Sequence, residues 1–190
     1  MLAAIRAVDP DVPVELWAQD EARIGLHPIE RRVWAQRGHR PVAVQHPGYE
    51  WLYVYGFVRP TTGEVEWLLM PTVNAWCFSE ALRRFAEAVG AGPKKRIILV
   101  VDNAGFHVGK DVVWPPGIFP LFLPPYSPEL QPAEKLWPLL HEPLANRLLT
   151  SLDEVERILV ERCCDLYGQS ALIAGCTRKS WWLQADPAKS

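Results

Sequence analysis

Three carboxylates stand where this chain changes direction. Asp20 closes a short alternating run, Asp102 closes an unbroken apolar run, and Glu134 follows Pro132 into the start of a helix. Ligands of α/β proteins gather outside strand ends, so acids placed there belong near a site. Carboxylates brought together repel and raise one another's pKa unless a cation intervenes. Oxygen ligands without His or Cys suit Mg²⁺, with Mn²⁺ as its substitute. Such a cluster can hold two ions roughly 3.5–4 Å apart, one activating an attacking hydroxyl and the other stabilising the leaving oxygen of a phosphodiester. The chemistry that fits is phosphoryl transfer. Each acid also has a plainer reading. Asp102-Asn103 could be a turn that closes a strand. Asp20 could be a turn residue too, or its neighbour Glu21 could be the functional one. Glu134 could be a helix N3 glutamate favoured by the dipole. His107 reads as a loop hydrogen-bonder.

The elements that must position these residues are legible from periodicity. Val14, Leu16 and Ala18 alternate with Glu15, Trp17 and Gln19, which is a strand over 14–20. The period of two puts Asp20 on the Val14/Leu16/Ala18 face and turns Glu21 away. Trp51–Val58 and Val65–Met70 read as strands joined by the Pro60-Thr61-Thr62-Gly63 turn. Phe78, Leu82, Phe85 and Val89 recur at helical spacing, and Gly90 ends that helix. Ile97–Val101 is a β-branched-rich run of the kind buried on both faces of a sheet. A short strand over Phe119–Leu123 leads into the proline-rich stretch 124–128. Pro132 suits the first position of a helix, which Pro138 and Pro143 must kink or shorten. Ser151 and Glu154 form a capping box, and Leu152, Val155, Leu159, Cys163 and Leu166 make the stripe of the helix it opens. Trp17, Trp51 and Trp67 sit within strand patterns and are expected to be structural. The order describes an α/β protein, a mixed sheet flanked by helices.

Bulk properties narrow the class. At 190 residues, 49% apolar and 22% charged, the chain suits one folded domain. Eighteen prolines, about twice the ~5% background, favour short elements with stiff turns over long helices. No apolar run reaches the ~18 residues that span a bilayer, and residues 1–11 lack a signal-peptide pattern. These features predict a soluble, cytoplasmic protein with no membrane partner. Cys77, Cys163, Cys164 and Cys176 show no C-x-x-C spacing, which argues for free thiols over a zinc site. The net charge of −2 does not by itself favour nucleic acid, where phosphate neutralisation supplies much of the affinity. Basic clusters exist nonetheless: Arg31, Arg32, Arg37 and Arg40, then Lys94-Lys95-Arg96, then Arg178-Lys179.

Local motifs say more than composition. Gln19-Asp20-Glu21-Ala22-Arg23, Trp34-Ala35-Gln36-Arg37-Gly38-His39-Arg40-Pro41 and Val101-Asp102-Asn103-Ala104-Gly105-Phe106-His107 occur in order. They are completed by Pro125-Tyr126-Ser127-Pro128-Glu129-Leu130-Gln131-Pro132-Ala133-Glu134-Lys135-Leu136-Trp137. Together they resemble the DDE-type transposases, in the insertion-sequence branch of the mariner superfamily, over about residues 14–165. The resemblance implies a ribonuclease H-like fold and a metal-binding catalytic triad of Asp20, Asp102 and Glu134. It also implies Mg²⁺-dependent cleavage at transposon ends, followed by strand transfer into target DNA by a homodimer. Two departures are visible: Gln131-Pro132 stands where Asn-Pro is common, and Lys135 where a neutral residue is frequent. Relatives carry helix-turn-helix modules ahead of this domain, so such a module is expected to be separate or missing here. The expected organisation is a lead-in over 1–13, the catalytic domain over 14–167 and a tail over 168–190. Arg31, Arg32, Arg37, Arg40 and Lys135 are the expected phosphate contacts, and the expected setting is the nucleoid. The alternatives are a silent transposase remnant that binds DNA or protein, and a ribonuclease H-like nuclease or resolvase.

Overall fold

The computed structural model describes residues 10–185 apart from 33, 40–47 and 126. Five strands form one mixed sheet in the order β3-β2-β1-β4-β5: β1 is Val14–Gly25, β2 Trp51–Arg59, β3 Glu64–Met70, β4 Arg96–Val101 and β5 Ile118–Phe122. β1 runs antiparallel to β2 and parallel to β4, and β4 runs parallel to β5. The first strand is therefore the middle of the sheet, and it runs five residues beyond the expected stretch. Ala22 and Ile24 continue its apolar period past the two acids.

A sheet whose central strands are apolar on both sides needs cover on both sides. Helix α1 (Ala75–Val89) covers one face with Phe78, Leu82 and Phe85. Asn74 caps it, its side chain accepting from Cys77 N at 2.8 Å, and Gly90 ends it at φ 70°. The alternate residues of β4 divide between the faces: Ile97, Leu99 and Val101 meet α1, while Ile98 and Val100 face the opposite core. That division is why the run reads as continuously apolar.

The opposite core is covered by everything after β5. Beyond Pro132 the chain makes a 3₁₀ turn over Ala133–Leu136, helix α2 over Trp137–His141 and a second 3₁₀ turn over Glu142–Leu144. Pro138 and Pro143 break what would be one helix, as expected. Helix α3 (Leu152–Tyr167) follows and buries Val155, Leu159, Cys163 and Leu166. Its expected capping box is only half made. Ser151 Oγ accepts from Glu154 N at 3.2 Å, but the Glu154 carboxylate reaches one residue further back and takes the Thr150 N–H at 3.1 Å.

Residues 170–185, within the expected tail, form helices α4 (Ser170–Thr177) and α5 (Ser180–Ala185). Trp182 of α5 is fully buried in the same core as β1 and α3. The β2–β3 turn packs under α4: Gly63, at φ 77°, lies so close to the Ser170 carbonyl that no side chain fits. Trp17 and Trp67 are buried, as expected of strand tryptophans. Trp51 is not. It opens β2 at the sheet's end with 41% exposure, and the Arg23 guanidinium lies 4.8 Å over its ring. All four cysteines are free. Among the described residues no helix is long and apolar enough to cross a membrane.

Candidate active site

The parallel register of β1 and β4 pairs Ala18 with Val100. Two residues on, where the ladder opens, it brings Asp20 and Asp102 level. The proline-rich stretch after β5 then carries Glu134 to the same place. Asp20, Asp102 and Glu134 all line one cavity of about 440 Å³, together with Asn103, Leu123 and Gln131. At ~30 Å³ per water, that space takes a phosphodiester and hydrated cations.

Each element is tied down at this point. Asn103 donates its amide to the Leu123 carbonyl, joining the ends of β4 and β5. Gln131, 3% exposed, donates to the Gln19 carbonyl at 2.8 Å and so clamps the incoming loop to β1. The residue that departs from the common Asn-Pro is thus a buried strut. Glu134 and Lys135 follow on the exposed side of the 3₁₀ turn.

Asp20 is held by an indole. Trp137 Nε1 donates to its Oδ2 at 2.8 Å. Gly56, across the sheet from Asp20, makes room for that ring: a Cβ there would stand 3.0 Å from Trp137 Cη2. Burial pushes the Asp20 carboxyl up to about 7, helped by the charges of Glu21 and Glu134 and opposed by the Trp137 hydrogen bond. A carboxyl in that state lacks a neutralising partner.

Asp102 is held differently. Its Oδ1 accepts from Ala104 N at 2.9 Å and lies 2.6 Å from His107 Nδ1. The other ring nitrogen of His107 lies 2.7 Å from Glu21 Oε1, which also accepts from Gln19 Nε2 at 3.0 Å. His107 is 1% exposed, with its ring against Phe78 and Phe106 at 4.3 and 4.4 Å. Burial opposes a charge on this imidazole, but the hydrogen bonds to Asp102 and Glu21 outweigh it and push the group up to about 9. The same His107 hydrogen bond holds the Asp102 carboxyl below its ordinary range. Spacing alone could not reveal this bridge, because Glu21 and His107 are 86 residues apart. The one signal was the period of two, which turned Glu21 away from Asp20.

The expected phosphate contacts are scattered. Lys135 follows Glu134 on the exposed side of the 3₁₀ turn, outside the residues that line the cavity. Arg31 lines an adjoining groove with Glu134, Trp137 and His141, but its guanidinium donates to the Pro138 carbonyl at 2.6 Å. Arg32 and Arg37 are exposed, and Arg40 lies outside the described residues. Lys179, of the third basic cluster, donates to the Glu129 carbonyl beside the loop that carries Glu134. Its ammonium is held below its ordinary range, first by burial and then by Lys135.

Three oxygen donors of the hard class around one roomy cavity, one of them a carboxyl without a counter-charge, suit a divalent cation of the Mg²⁺ type. Among the described residues, no three His, Cys, Asp or Glu side chains are already drawn together closely enough to enclose an ion. An ion would have to gather the acids.

Comparison with known proteins agrees with the motifs. The chain is 33% identical over 115 residues to the uncharacterised protein y4pE/y4sA of Sinorhizobium fredii (strain NBRC 101917 / NGR234), covering 60% of this chain and 81% of that protein. It is 28% identical over 132 residues to the insertion element IS630 uncharacterised 39 kDa protein of Shigella sonnei, covering 67% of this chain and 38% of that one. Among solved structures, the Mos1 mariner paired end complex with Mn superposes with a TM-score of 0.54 at 18% identity, over 87% of this chain and 56% of that chain. The chain thus spans little more than half of the mariner transposase, and the shared fold is the ribonuclease H-like one. The sequence profile of the DDE superfamily endonucleases matches residues 15–156. That match takes in Asp20, Asp102 and Glu134, and the chain belongs to the DDE superfamily of endonucleases.

Proposed function

We propose that this chain is the catalytic domain of a transposase, a metal-dependent DNA endonuclease and strand transferase acting at transposon ends. The observation that carries the reading is the meeting of Asp20, Asp102 and Glu134 around one cavity at the open end of the β1–β4 ladder. Those three side chains would hold Mg²⁺, or Mn²⁺ in its place, as a pair of ions. When bound, the ions would supply activation of the attacking oxygen and stabilisation of the leaving one. The chain's own residues do the rest. Trp137 orients the Asp20 carboxylate, His107 and the Ala104 amide orient that of Asp102, and Gln131 anchors the loop that presents Glu134. A DNA strand would enter the cavity at its Glu134 side, where Lys135 and Lys179 would offer cations to its phosphates.

Paired-end chemistry calls for two copies of the chain, and recognition of the ends calls for a helix-turn-helix module on the same or a separate polypeptide. The mariner complex, described as a paired end complex with Mn, supports both the metal class and the substrate class. The setting would be the cytoplasm, on the nucleoid.

The test is nicking of supercoiled plasmid in Mg²⁺ or Mn²⁺ by the wild type and by Asp102→Asn. Metal-dependent nicking lost in the variant supports the reading. Equal nicking by both would point to contamination and sink it. Activity on RNA–DNA hybrid or branched DNA alone would redirect it to a ribonuclease or resolvase. A folded protein that binds DNA without cutting would be a remnant.

A further inference from the structure

Glu21 follows Asp20 on β1, so the strand period sends its side chain to the opposite face. There its side chain is only 8% exposed, and the ring it meets, His107, has a side chain that is 0% exposed. Burying a carboxylate or a charged imidazole is unfavourable unless each finds a partner. Replacing such a pair by well-packed apolar residues is often neutral or stabilising. A fold that needed only to fill the space beneath β4 would be served by a leucine. The polar bridge has another outcome: it ends on Asp102, whose side chain is 51% exposed and lines the cavity. The two ring nitrogens of His107 lie 2.6 Å from Asp102 Oδ1 and 2.7 Å from Glu21 Oε1. Both donors that reach Asp102 fall on Oδ1, from His107 and from the Ala104 backbone, which leaves Oδ2 for the cavity.

We infer that His107, held in place by Glu21, is a positioning residue that fixes the rotamer of Asp102 and turns its Oδ2 to the metal side of the cavity. The inference rests on the reading of Asp102 as a metal ligand given above. Glu21 is then not a fourth ligand. It orients the histidine, in the way that ligand carboxylates and histidines are commonly held by a second layer of hydrogen bonds. The paired Asp20-Glu21 thus splits into two tasks, one acid on each face of β1.

Two substitutions separate positioning from packing. In His107→Asn the amide nitrogen stands near the place of Nδ1 and can still donate to Asp102, while the Glu21 bond is lost. In His107→Gln the amide reaches toward Glu21 and abandons Asp102. Packing alone predicts that the asparagine variant suffers more, since it leaves the buried Glu21 carboxylate with only the Gln19 amide as a partner. Positioning predicts the reverse at the site. The readouts are Mn²⁺ uptake, followed by loss of the free-ion electron paramagnetic resonance signal, and the thermal midpoint. Expected is a loss of Mn²⁺ affinity of ~10–100-fold in His107→Gln and of no more than ~3-fold in His107→Asn, the range typical of such supporting residues. The double variant Glu21→Gln/His107→Asn, which removes the buried charge, keeps the comparison open should His107→Asn fold poorly. Equal losses in the two single variants, or losses that follow the thermal midpoint, would overturn the inference while leaving the metal site intact. A wild type that takes up no Mn²⁺ would overturn the metal-site reading and this inference with it.

Discussion

Asp20→Asn should make the metal-free protein more stable and the enzyme dead, and the gain should depend on pH. Burial and the neighbouring Glu21 and Glu134 raise the Asp20 carboxyl from its ordinary 3.8 to about 7. A group raised in the fold is protonated there while still ionised in the unfolded chain. The fold therefore carries no penalty below pH 3.8, an increasing one between 3.8 and 7, and the full one above 7. At 1.36 kcal/mol per tenfold change, the full penalty is about 4 kcal/mol, to order of magnitude. Asparagine has the shape of the neutral acid and no charge. Its advantage over wild type should be near zero at about pH 4 and should grow to about 2–4 kcal/mol at about pH 8. The assay is urea unfolding of both proteins in chelator across that range, read by linear extrapolation. His107 titrates in both proteins and cancels in the difference. A difference that stays flat with pH would refute the reasoning, because Asp20 would then be solvated or already paired. A stabilising change that abolishes function is the usual mark of a site held in a strained electrostatic state.

Other predictions follow from single interactions. Gly56→Ala puts a methyl 3.0 Å from the Trp137 ring that holds Asp20; together with Trp137→Phe it should lower the nicking rate by ~10–100-fold, as second-layer losses do. Trp182→Ala should destabilise the fold by about 3–5 kcal/mol in denaturant melts, since the side chain is fully buried in the main core. Wild-type stability should also fall as pH rises from 6.5 through about 9 and His107 loses its proton; Glu21→Gln should flatten that slope in the same melts. Charge reversal at Lys135, Arg32 or Arg37 should weaken DNA binding and reduce the slope of log affinity against log salt by ~0.9 for each phosphate left unneutralised. An unchanged slope removes that residue from the DNA-binding surface.

What was legible in the sequence was whatever a period or a cap writes locally. The strand over 14–20, the helix ending at Gly90 and the two-faced burial of Ile97–Val101 are local patterns, and the structure reproduces them. Asp102 and Glu134 were legible as ends of elements; Asp20 was read as closing a strand that runs on to Gly25, and it is the parallel register with β4 that brings the first two acids level. Partners joined across long separations were not legible. Nothing near Asp20 announces Trp137, 117 residues away, and nothing near His107 announces Glu21. Trp51 misled because the strand pattern does not say which residue sits at the sheet's open end. The capping box misled by one residue because Thr150 offers both an amide and a hydroxyl to the same carboxylate. Helices α4 and α5 escaped because α4 carries apolar residues with little sidedness, and Trp182 gives no sign in sequence of which core it enters.

The central place of β1 has a consequence in time. The strand at the heart of the sheet is made before its partners, and its parallel partner β4 comes some eighty residues later, Ala18 pairing with Val100. Glu134 comes later still, 114 residues after Asp20 by their numbers. At ~5–20 residues per second a ribosome needs roughly six to twenty seconds to pass from the first acid to the last. For most of that interval the growing chain holds Asp20 alone, and only over its last part Asp20 and Asp102; throughout it lacks Glu134 and the indole of Trp137 that orients the first acid. A carboxylate centre built this way stays incomplete until residue 134 has been made, and a ribosome that stalls before it releases a fragment with an incomplete set of acids.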